Sequence, residues 1–387
     1  MNILYGVVGE GMGHATRSEA VIRHLLACGH KLVILASGKA EPYLRTAFAG
    51  CDAAQVDAIR GSFIRYDGNA VDRSATVLAA LKALPTAAVV NFAELKKLNA
   101  SAALPEQAFD AVVTDFETLA HLYGKLKRLP VINIDNMSII TRCDHRALDL
   151  PARTGFDRAV AAMITEGKVL ASSQYLITTF FYPPLRDRCR TNTRLVPPIL
   201  RDEIFATAAA LRRGEIPVGD EVLVYHTSAT FAPLLAALDA AGVRGNVYGF
   251  DPAAYAGRYR HLTLKPRGRE PFFTDFARAA AVITGGGFSL ISEAVHLGKP
   301  VLSLPLAGQF EQQLNARYLE QLGYGMHADG DAVTADPAGF RARLDAFLAN
   351  LPRYRANLAQ YATEHPQADN TAVFAALDEL LAREVRS

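Results

Sequence analysis

The sequence predicts an α/β protein of two domains, each with a parallel β-sheet covered by helices. Short apolar runs alternate with helical patterns in both halves of the 387-residue chain, and this alternation is typical of parallel sheets. A glycine-rich turn also follows an apolar run in each half, at residues 9–13 and 285–287. The length suits two domains that each bury a core of their own.

In the N-terminal half, apolar runs predict strands and periodic patterns predict helices. Strands are expected at 3–8, 31–36, 53–56, 111–114, 131–134 and 175–178. Helices are expected at 15–28, 40–48, 74–99 and 117–127. Pro85 marks a break or a kink in the third helix. We therefore predict a first domain over residues 1–196.

The alternation of strand and helix patterns is interrupted after this half. Pro197 and Pro198 precede a polar stretch that runs to Asp220, which predicts an interdomain linker. Beyond it, strands are expected at 222–225, 244–250, 262–265, 281–284 and 301–304. Helices are expected at 231–241, 272–279, 289–297, 309–322 and after 371. We predict a second domain over residues 197–370 and a separate C-terminal helix over residues 371–387.

Composition excludes several classes of protein. Hydrophobic residues make up 50% of the chain, which argues against global disorder. A formal net charge of +2 is too small for a nucleic-acid-binding surface. The 4 cysteines are far apart without a CxxC pair, which predicts neither a zinc site nor a disulfide framework. With no long apolar run and no signal-peptide pattern, we expect a cytoplasmic protein. Because no metal-ligand spacing occurs, we expect no metal centre.

The first glycine-rich turn carries a histidine to the expected carboxyl edge of the first sheet, where α/β domains bind ligands. His14 stands where the dinucleotide fingerprint requires glycine, and Ser37 and Gly38 stand where it requires an acid. A nicotinamide cofactor is therefore not expected. His14 can act as a general base on an acceptor hydroxyl, cap the helix or contact a phosphate.

Acidic side chains follow neighbouring strands at this same edge. Asp115 and Glu117 follow the fourth predicted strand, and Asp135 follows the fifth. One of the first two either orients His14 or serves as the base itself, unless Asp115 only caps the next helix. Arg17 lies one turn after His14, where it either contacts a phosphate or lies solvated on the helix surface.

The second glycine-rich turn precedes a predicted helix. Unpaired N–H groups and the positive dipole at such a helix start attract phosphate. Glu293 lies about two turns into this helix, where a carboxylate can bind sugar hydroxyls of the same ligand.

Two further loops in this half follow predicted strands. Ser228 and Thr230 can contact a diphosphate, although Thr230 also suits a plain helix cap. The loop after the strand at 301–304 is rich in Gln and Glu, which suit sugar hydroxyls because amides both donate and accept. The alternative for that loop is a simple surface helix start. Its polar residues are Gln309, Glu311, Gln312 and Gln313.

These residues form a pattern of known type. The pattern consists of residues 287–294, then Gly298-Lys299-Pro300-Val301, then Pro305, Gln309, Gln312 and Asn315. It resembles the donor-site signature of GT-B glycosyltransferases, above all the inverting enzymes around the bacterial N-acetylglucosaminyltransferase of peptidoglycan synthesis. Residues 9–14 resemble that group's N-terminal glycine-rich loop, and residues 9–17 are similar to poorly characterised bacterial and archaeal relatives.

The resemblance implies two Rossmann-like domains that face each other across a cleft, and a last helix that crosses back to the first domain. Within the cleft, Glu293 would bind the nucleotide ribose, and uracil would lie near residues 271–273, held largely by backbone. The implied donor side is Ser228, Thr230, Phe272, Gly286, Gly287, Ser289, Glu293, Gln309, Gln312 and Gln313. The implied acceptor side is Gly11, Gly13, Arg17, Glu117 and Asp135.

One departure from the pattern bears on stereochemistry. Gly285 stands where many relatives carry a histidine and where retaining enzymes carry a glutamate, so retention of configuration is not expected. We expect an inverting glycosyltransferase that uses a UDP-sugar as co-substrate, without metal or cofactor. His14 is the preferred base and Asp115 the second choice.

The acceptor side leaves alternatives open. The acceptor is expected to be a small molecule or a lipid-linked one. The apolar and basic residues at 74–99 predict either a peripheral contact with a membrane or a buried helix. A UDP-sugar 2-epimerase of the same fold and a non-catalytic nucleotide-sugar-binding protein are the alternative functions.

Overall fold

The computed structural model describes residues 1–9, 11–61, 66–67, 70–71, 91, 93–99, 108–151, 154–226, 231–266 and 268–386. Most of the predicted helix at 74–99 lies outside these residues. So do Ser228 and Thr230 of the predicted donor side.

The first sheet contains the strands predicted for the N-terminal half and one more. The strands are β1 (Asn2–Val7), β2 (Lys31–Ser37), β3 (Ala54–Ile59), β6 (Ala111–Asp115), β7 (Val131–Asp135), β8 (Gln174–Thr178) and β9 (Thr193–Val196). They pair in parallel in the order β3-β2-β1-β6-β7-β8-β9. A small antiparallel pair stands apart, β4 (Tyr66–Asp67) and β5 (Ala70–Val71). The helices of this half include α1 (Met12–Ala27), α2 (Ala40–Ala47), α3 (Thr118–Lys127), α4 (Ile139–Arg142) and α5 (Gly155–Val169).

The second sheet is also parallel. Its strands are β10 (Val222–Tyr225), β11 (Gly245–Tyr248), β12 (Leu262–Leu264), β13 (Ala281–Thr284), β14 (Val301–Ser303) and β15 (Gly325–His327), in the order β12-β11-β10-β13-β14-β15. The helices are α6 (Asp202–Arg212), α7 (Ala232–Ala240), α8 (Arg269–Arg278), α9 (Phe288–His296), α10 (Phe310–Gln321), α11 (Ala332–Ala335), α12 (Pro337–Ala349), α13 (Leu351–Glu364) and α14 (Thr371–Arg386).

Several elements were missed by the sequence analysis. The polar stretch taken as linker contains α6, which buries only Ile204 and Ala208 on one narrow face. The edge strands β9 and β15 are four and three residues long, and their mixed composition gives no strand pattern. The sequence analysis also missed α5, α12 and α13.

Strand order determines where a ligand can bind. In the first sheet the order reverses between β1 and β6, and in the second sheet it reverses between β10 and β13. The crevice outside the carboxyl ends of such neighbouring strands is where open α/β sheets bind ligands. The first crevice receives residues 8, 9 and 11–14 and Asp115, and the second receives the glycine turn at 285–287.

Apolar contacts join the C-terminal helix to the first domain and the two domains to each other. Val373, Leu377, Leu380 and Leu381 of α14 are buried in the same apolar cluster as strands β1 and β2. Between the domains, Tyr318 of α10 stacks on Phe181 at a ring-centroid distance of 4.1 Å. Within the described part of the chain, no helix is both long and apolar enough to cross a bilayer.

Candidate active site

Asp115 is the centre of a buried polar cluster at the carboxyl end of β6. It is 1% exposed and accepts hydrogen bonds from Arg17 Nε to Oδ2 (3.0 Å), Arg17 Nη2 to Oδ1 (2.5 Å) and Ser18 Oγ to Oδ2 (3.0 Å). Burial alone would raise the pKa of this carboxyl group, but the charges of Arg17 and His14 lower it to about 2. Asp115 is therefore ionised at neutral pH.

Arg17 belongs to this cluster and not to the solvated surface. It is 5% exposed, so the interpretation of a surface arginine was wrong. Its position one turn after His14 places its guanidinium on the carboxylate of Asp115. A contact between Arg17 and a ligand phosphate stays a prediction.

His14 lies against Asp115 with its Nδ1 atom. Nδ1 is 2.8 Å from Asp115 Oδ1, and a carboxylate can only accept, so Nδ1 carries the proton of this hydrogen bond. Arg17 Nη2 lies 3.0 Å from the same nitrogen but cannot donate to it in that tautomer. When the imidazole is neutral, the Nε2 atom keeps the lone pair, and 20% of the side chain is exposed. This arrangement can accept a proton from a ligand hydroxyl.

The two other acids at this edge have local partners. Glu117 is the N-cap of α3, where Oε1 and Oε2 accept from the N–H groups of Leu119 (2.8 Å) and Ala120 (2.7 Å). Glu117 therefore has the helix-capping role that was the alternative for Asp115. Asp135 is fully buried and accepts from the N–H of Ser138 at 2.9 Å. An acceptor role for Glu117 and Asp135 stays a prediction.

One cavity is lined by a residue predicted for the acceptor side, Glu117, and a second lies elsewhere. The first has a volume of about 260 Å³ and lies at the carboxyl ends of β1, β2 and β6. Its lining includes Val8, Ser37, Arg60, Gly61, Asn91, Phe116, Glu117, Thr118, Leu119, Leu122 and Lys168. A larger cavity of about 370 Å³ is lined by Val222, the first residue of β10, and so lies by the amino edge of the second sheet, away from this chemistry.

The two glycine-rich turns meet at the start of their helices. A Cβ atom on Gly13 would lie 2.4 Å from Ser289 Oγ, so the glycine allows α1 and α9 to begin against each other. Neither helix has a side-chain cap or an acidic residue in its first turn, and their N-cap residues are Gly11 and Gly287. Two positive helix ends with uncapped N–H groups therefore lie together, and this arrangement favours the binding of an anion between them.

The glycines of the second turn differ in their surroundings. A Cβ atom on Gly286 would lie 2.4 Å from the carbonyl oxygen of Gln312, and the Gly286 N–H donates to Gln312 Oε1 at 3.2 Å. This glycine is required by the packing of α10. A Cβ atom on Gly287 would meet nothing within 4 Å. Of the two glycines predicted to contact a diphosphate, Gly287 is the one with open space beside it.

The side chains of the glutamines at the start of α10 mostly form hydrogen bonds within the protein. Gln312 Oε1 also accepts from the N–H of Leu306 (3.0 Å), and Gln312 Nε2 donates to Gln309 Oε1 (2.8 Å). Gln312 therefore joins the ends of β13 and β14. The Oε1 atom of Gln313 is buried and has no hydrogen-bond partner in the described part of the chain, and its contact with the donor sugar stays a prediction.

Glu311 is a site residue to which the sequence analysis gave no role of its own. Asn136 of the first domain donates to its Oε1 at 2.9 Å across the cleft. Burial raises the pKa of Glu311, against the opposing effects of the Asn136 hydrogen bond and the charges of His14 and Arg17. The carboxyl group of Glu311 therefore lies in the electrostatic field of the His14 cluster.

Glu293 is paired with an arginine from the linker. Arg201 donates from Nε to Oε1 (2.8 Å) and from Nη2 to Oε2 (2.6 Å), and Glu293 is 5% exposed. Burial raises the pKa of Glu293, while Arg201 opposes that rise. Each carboxylate oxygen keeps a second acceptor position, so a ribose diol can bind beside Arg201. No local sequence pattern joins residues 92 positions apart.

Aromatic rings surround the segment expected to hold uracil. Residues 271–273 lie in the first turns of α8, where proline has no N–H and the Phe272 N–H donates to Gly268 O at 3.4 Å. The N–H positions of residues 271 and 272 are therefore unavailable to a base, and the expected uracil site stays a prediction. The Phe272 ring packs against Tyr248 at 5.2 Å, and the Arg201 guanidinium lies 4.4 Å from the Phe273 ring centre.

A cluster with metal-binding side chains lies elsewhere. Among the described residues, His24, Cys28 and Asp378 form a group of side chains that could share a metal ion. His24 is ten residues from His14 along α1, a distance of about 15 Å.

Two parallel-sheet domains of this order, with the glycine turns of both facing one cleft, define a GT-B glycosyltransferase fold. The chain belongs to glycosyl transferase family 1, whose model matches residues 1–352. The expected family and fold are therefore confirmed, and with them glycosyl transfer.

Similar proteins include two sequence relatives. An uncharacterized glycosyltransferase of Methanosarcina acetivorans is 26% identical over 347 residues, covering 84% of this chain and 85% of the relative. The UDP-N-acetylglucosamine–N-acetylmuramyl-(pentapeptide) pyrophosphoryl-undecaprenol N-acetylglucosamine transferase of Acidiphilium cryptum is 23% identical over 353 residues, covering 87% and 86%.

Solved structures share the fold at low identity. The UDP-glucose:anthocyanidin 3-O-glucosyltransferase in complex with UDP has a TM-score of 0.70 and 13% identity, covering 99% of each chain. The calicheamicin glycosyltransferase CalG4 has a TM-score of 0.61 and 15% identity, covering 99% of this chain and 98% of its own.

Proposed function

We propose that this protein transfers a sugar from a UDP-sugar to an acceptor hydroxyl with inversion at the anomeric carbon. The observation that carries the proposal is the hydrogen bond of His14 to the buried, ionised Asp115, beside the meeting point of the two helix starts. A base and an anion site then lie on one cleft. That pairing suits displacement of a phosphate leaving group by a hydroxyl.

The proposed reaction is a single displacement. The acceptor oxygen forms a bond to the anomeric carbon while its proton moves to His14 Nε2. The bond from that carbon to the diphosphate oxygen breaks, and the nucleoside diphosphate leaves with the electron pair. Asp115 stabilises the imidazolium cation that results, and Arg17 holds Asp115 in place. One displacement inverts the configuration.

The donor would extend along the second domain. The uncapped helix starts at Gly13 and Ser289 and the open side of Gly287 suit the diphosphate. Glu293, with Arg201, suits the ribose diol, and the rings near Phe272 suit the base. Because helix dipoles and N–H groups would offset the charge of the leaving group, the proposed reaction uses neither a metal nor a cofactor.

The proposed sugar-binding groups are at the start of α10. The Oε1 atom of Gln313 and the carboxyl group of Glu311 are the available acceptors there. Gln309 and Gln312 would position the loop through their mutual hydrogen bond.

A lipid-linked acceptor is proposed on the strength of an exposed apolar surface beside the 260 Å³ cavity. Leu122 lines that cavity and is 49% exposed, and Leu126, one turn further along α3, is 76% exposed. Leu170, after α5, is 63% exposed and its carbonyl oxygen lies 3.0 Å from the neighbouring His121 of α3. We name Leu122, Leu126 and Leu170 the apolar rim.

Basic residues accompany the apolar rim. Lys125, Lys127 and Arg128 are exposed, and no acidic residue occurs between positions 118 and 128. Apolar side chains with nearby cations suit the surface of an anionic membrane. Of the segment 74–99, the described Leu98 is buried, and Lys97 pairs with Asp57 at 2.6 Å. The apolar rim therefore supports a peripheral membrane contact better than the described residues of that segment do.

Binding of UDP to Glu293→Gln tests the donor site. The substitution keeps the size of the side chain but removes charge-assisted hydrogen bonds worth roughly 1.5–3 kcal/mol. UDP affinity measured by calorimetry is expected to fall about tenfold or more. Glu320→Gln is the matched control, because Glu320 lies in the same domain and pairs with His327 and Arg343 instead.

A folded Glu293→Gln protein that binds UDP like the wild type would remove the proposed donor site. Incubation of the wild type with UDP-N-acetylglucosamine alone gives a second check. Formation of a new nucleotide sugar without any acceptor would favour a 2-epimerase over a transferase.

A further inference from the structure

A polar cluster lies at the far end of α1, where that helix meets α14. His24 is in the last turn of α1, Cys28 is the C-terminal cap residue, and Asp378 comes from α14. His24 Nε2 lies 3.0 Å from both carboxylate oxygens of Asp378 and 3.6 Å from Cys28 Sγ. The three possible ligand atoms are all within 4.8 Å of one another. They therefore converge on one point.

We infer that His24, Cys28 and Asp378 bind a divalent cation of the zinc type. In a tetrahedral zinc site, bonds of about 2.0–2.3 Å place neighbouring ligand atoms about 3.3–3.6 Å apart. The nitrogen–sulfur distance here matches that spacing, and the nitrogen–oxygen distances are slightly shorter. A small outward movement of Asp378 completes the geometry.

The kinds of ligand select the class of metal. An imidazole nitrogen, a thiolate and one carboxylate suit Zn²⁺ or Co²⁺, whereas Mg²⁺ and Ca²⁺ prefer sites built from oxygen alone. Three protein ligands leave a fourth position for water. Cys28 would bind as the thiolate, so its proton leaves to solvent when the metal binds. The proton that His24 Nε2 donates to Asp378 would move by way of solvent to Nδ1, which frees the Nε2 lone pair for the metal.

The surroundings are favourable to a cation. The carboxyl end of a helix carries partial negative charge, and Cys28 stands at the end of α1. Cys28 is exposed, which gives a metal ion access from solvent. The His24 ring stacks on Phe374 of α14 with a centroid distance of 4.4 Å, and this stacking fixes the direction of its nitrogen atoms.

The site would fasten the C-terminal helix to the first domain. Its ligands are up to 354 positions apart in the chain, which is why the sequence analysis, which looked for paired cysteines, predicted no zinc site. The same helix is also held by Arg194–Glu379 (2.8 Å) and by Gln174–Glu384 (2.7 Å). A metal at this place would act on structure, at the opposite end of α1 from His14.

Cobalt and zinc binding to the full-length, chelator-treated protein tests the inference. Co²⁺ is expected to give the absorption bands of a tetrahedral site together with a thiolate charge-transfer band, and added Zn²⁺ is expected to abolish both. Cys28→Ser is expected to lose the charge-transfer band and to weaken Zn²⁺ binding by roughly tenfold or more. Cys51→Ser, at a cysteine outside the cluster, is the matched control.

Two further measurements separate a metal site from a simple His24–Asp378 ion pair. Asp378→Asn is expected to weaken Zn²⁺ binding, and Zn²⁺ is expected to slow amide exchange in α14 of the wild type. Because Cys28 is exposed, Cys28→Ser should fold normally. Absence of the cobalt bands in the wild type, or wild-type Zn²⁺ affinity in Cys28→Ser, would overturn the inference and leave the ion pair alone.

Discussion

Asp115 is the residue on which the proposed chemistry depends. A buried ion pair such as Arg17–Asp115 contributes little net stability, because removing both charges from water costs about as much as their attraction returns. The pair is therefore better explained by its effect on His14. An ionised carboxylate at 2.8 Å fixes the tautomer of the imidazole and stabilises its protonated form.

The first residue-scale prediction concerns His14→Ala. If His14 is the base, kcat should fall by about 10²–10⁴-fold, since that is the usual contribution of general base catalysis. UDP affinity should stay at the wild-type value, because the base acts on the acceptor. Initial-rate kinetics and calorimetry on the same preparation separate the two effects.

His261→Ala is the control for that experiment, since His261 lies beside β12 in the other domain. Asp115→Asn should also lower kcat, because an amide stabilises the imidazolium less well than a carboxylate. A folded His14→Ala protein with near-normal turnover would be inconsistent with the proposed base and would move the role to Asp115.

At the scale of secondary-structure elements, the two helix starts explain why the turns are rich in glycine. Gly13 allows α1 to approach α9, and Gly286 allows α10 to approach the end of β13. The sequence alone predicted a ligand role for all of these glycines equally. Only the positions of neighbouring atoms distinguish a glycine that is required by close packing from a glycine that borders open space.

Gly286→Ala and Gly287→Ala form a matched pair that tests this distinction. A methyl group at Gly286 would meet the backbone of Gln312, so we expect a loss of stability of about 1–3 kcal/mol. Gly287→Ala should change stability by less than about 0.5 kcal/mol, because nothing lies near the new methyl group. Urea unfolding followed by circular dichroism measures both, since the chain contains 0 tryptophans for fluorescence.

The proposed diphosphate site also predicts how Gly287→Ala affects UDP binding. Gly287→Ala should weaken UDP binding while its stability stays near wild type. Equal stability loss in both variants would show that the surroundings of the two glycines are alike, and unchanged UDP affinity in Gly287→Ala would place the diphosphate elsewhere.

Elements with a local signal were predictable from the sequence. His14 and Asp115 follow apolar strands, and parallel strands bring their ends to one edge, so their meeting could be expected. The Arg201–Glu293 pair and the Asn136–Glu311 pair could not, because each joins distant segments. Helix α6 was missed because two buried side chains give too weak a periodic pattern in a polar stretch.

At the scale of the whole molecule, several contacts hold the two domains together over the cleft. Tyr318 stacks on Phe181 and its hydroxyl lies 2.8 Å from His145 Nδ1, while Glu311 accepts from Asn136. Glu293 is buried beneath Arg201 of the linker. These interdomain contacts would break if the domains separate, as the domains of many enzymes do when they open and close around their substrates.

The orientation of the molecule at a membrane is the last prediction, and it belongs to this scale. If the apolar rim rests on lipid, the 260 Å³ cavity lined by Leu122 faces the bilayer surface and can receive a lipid-linked acceptor. Each basic residue near an anionic surface contributes about 1 kcal/mol. The full-length protein should therefore co-sediment with phosphatidylserine-containing vesicles at low salt, and less so as salt rises.

Two double variants test which residues make this contact. Leu122→Ser with Leu126→Ser should reduce sedimentation by removing apolar area, and Lys125→Glu with Lys127→Glu should reduce it by reversing charge. Leu322→Ser is the control, because Leu322 is also exposed but lies in the second domain. If vesicle binding is lost only in Lys96→Glu with Lys97→Glu, residues 74–99 make the membrane contact instead. No sedimentation of the wild type at low salt would exclude the membrane contact and favour a small-molecule acceptor that reaches the cavity from solution.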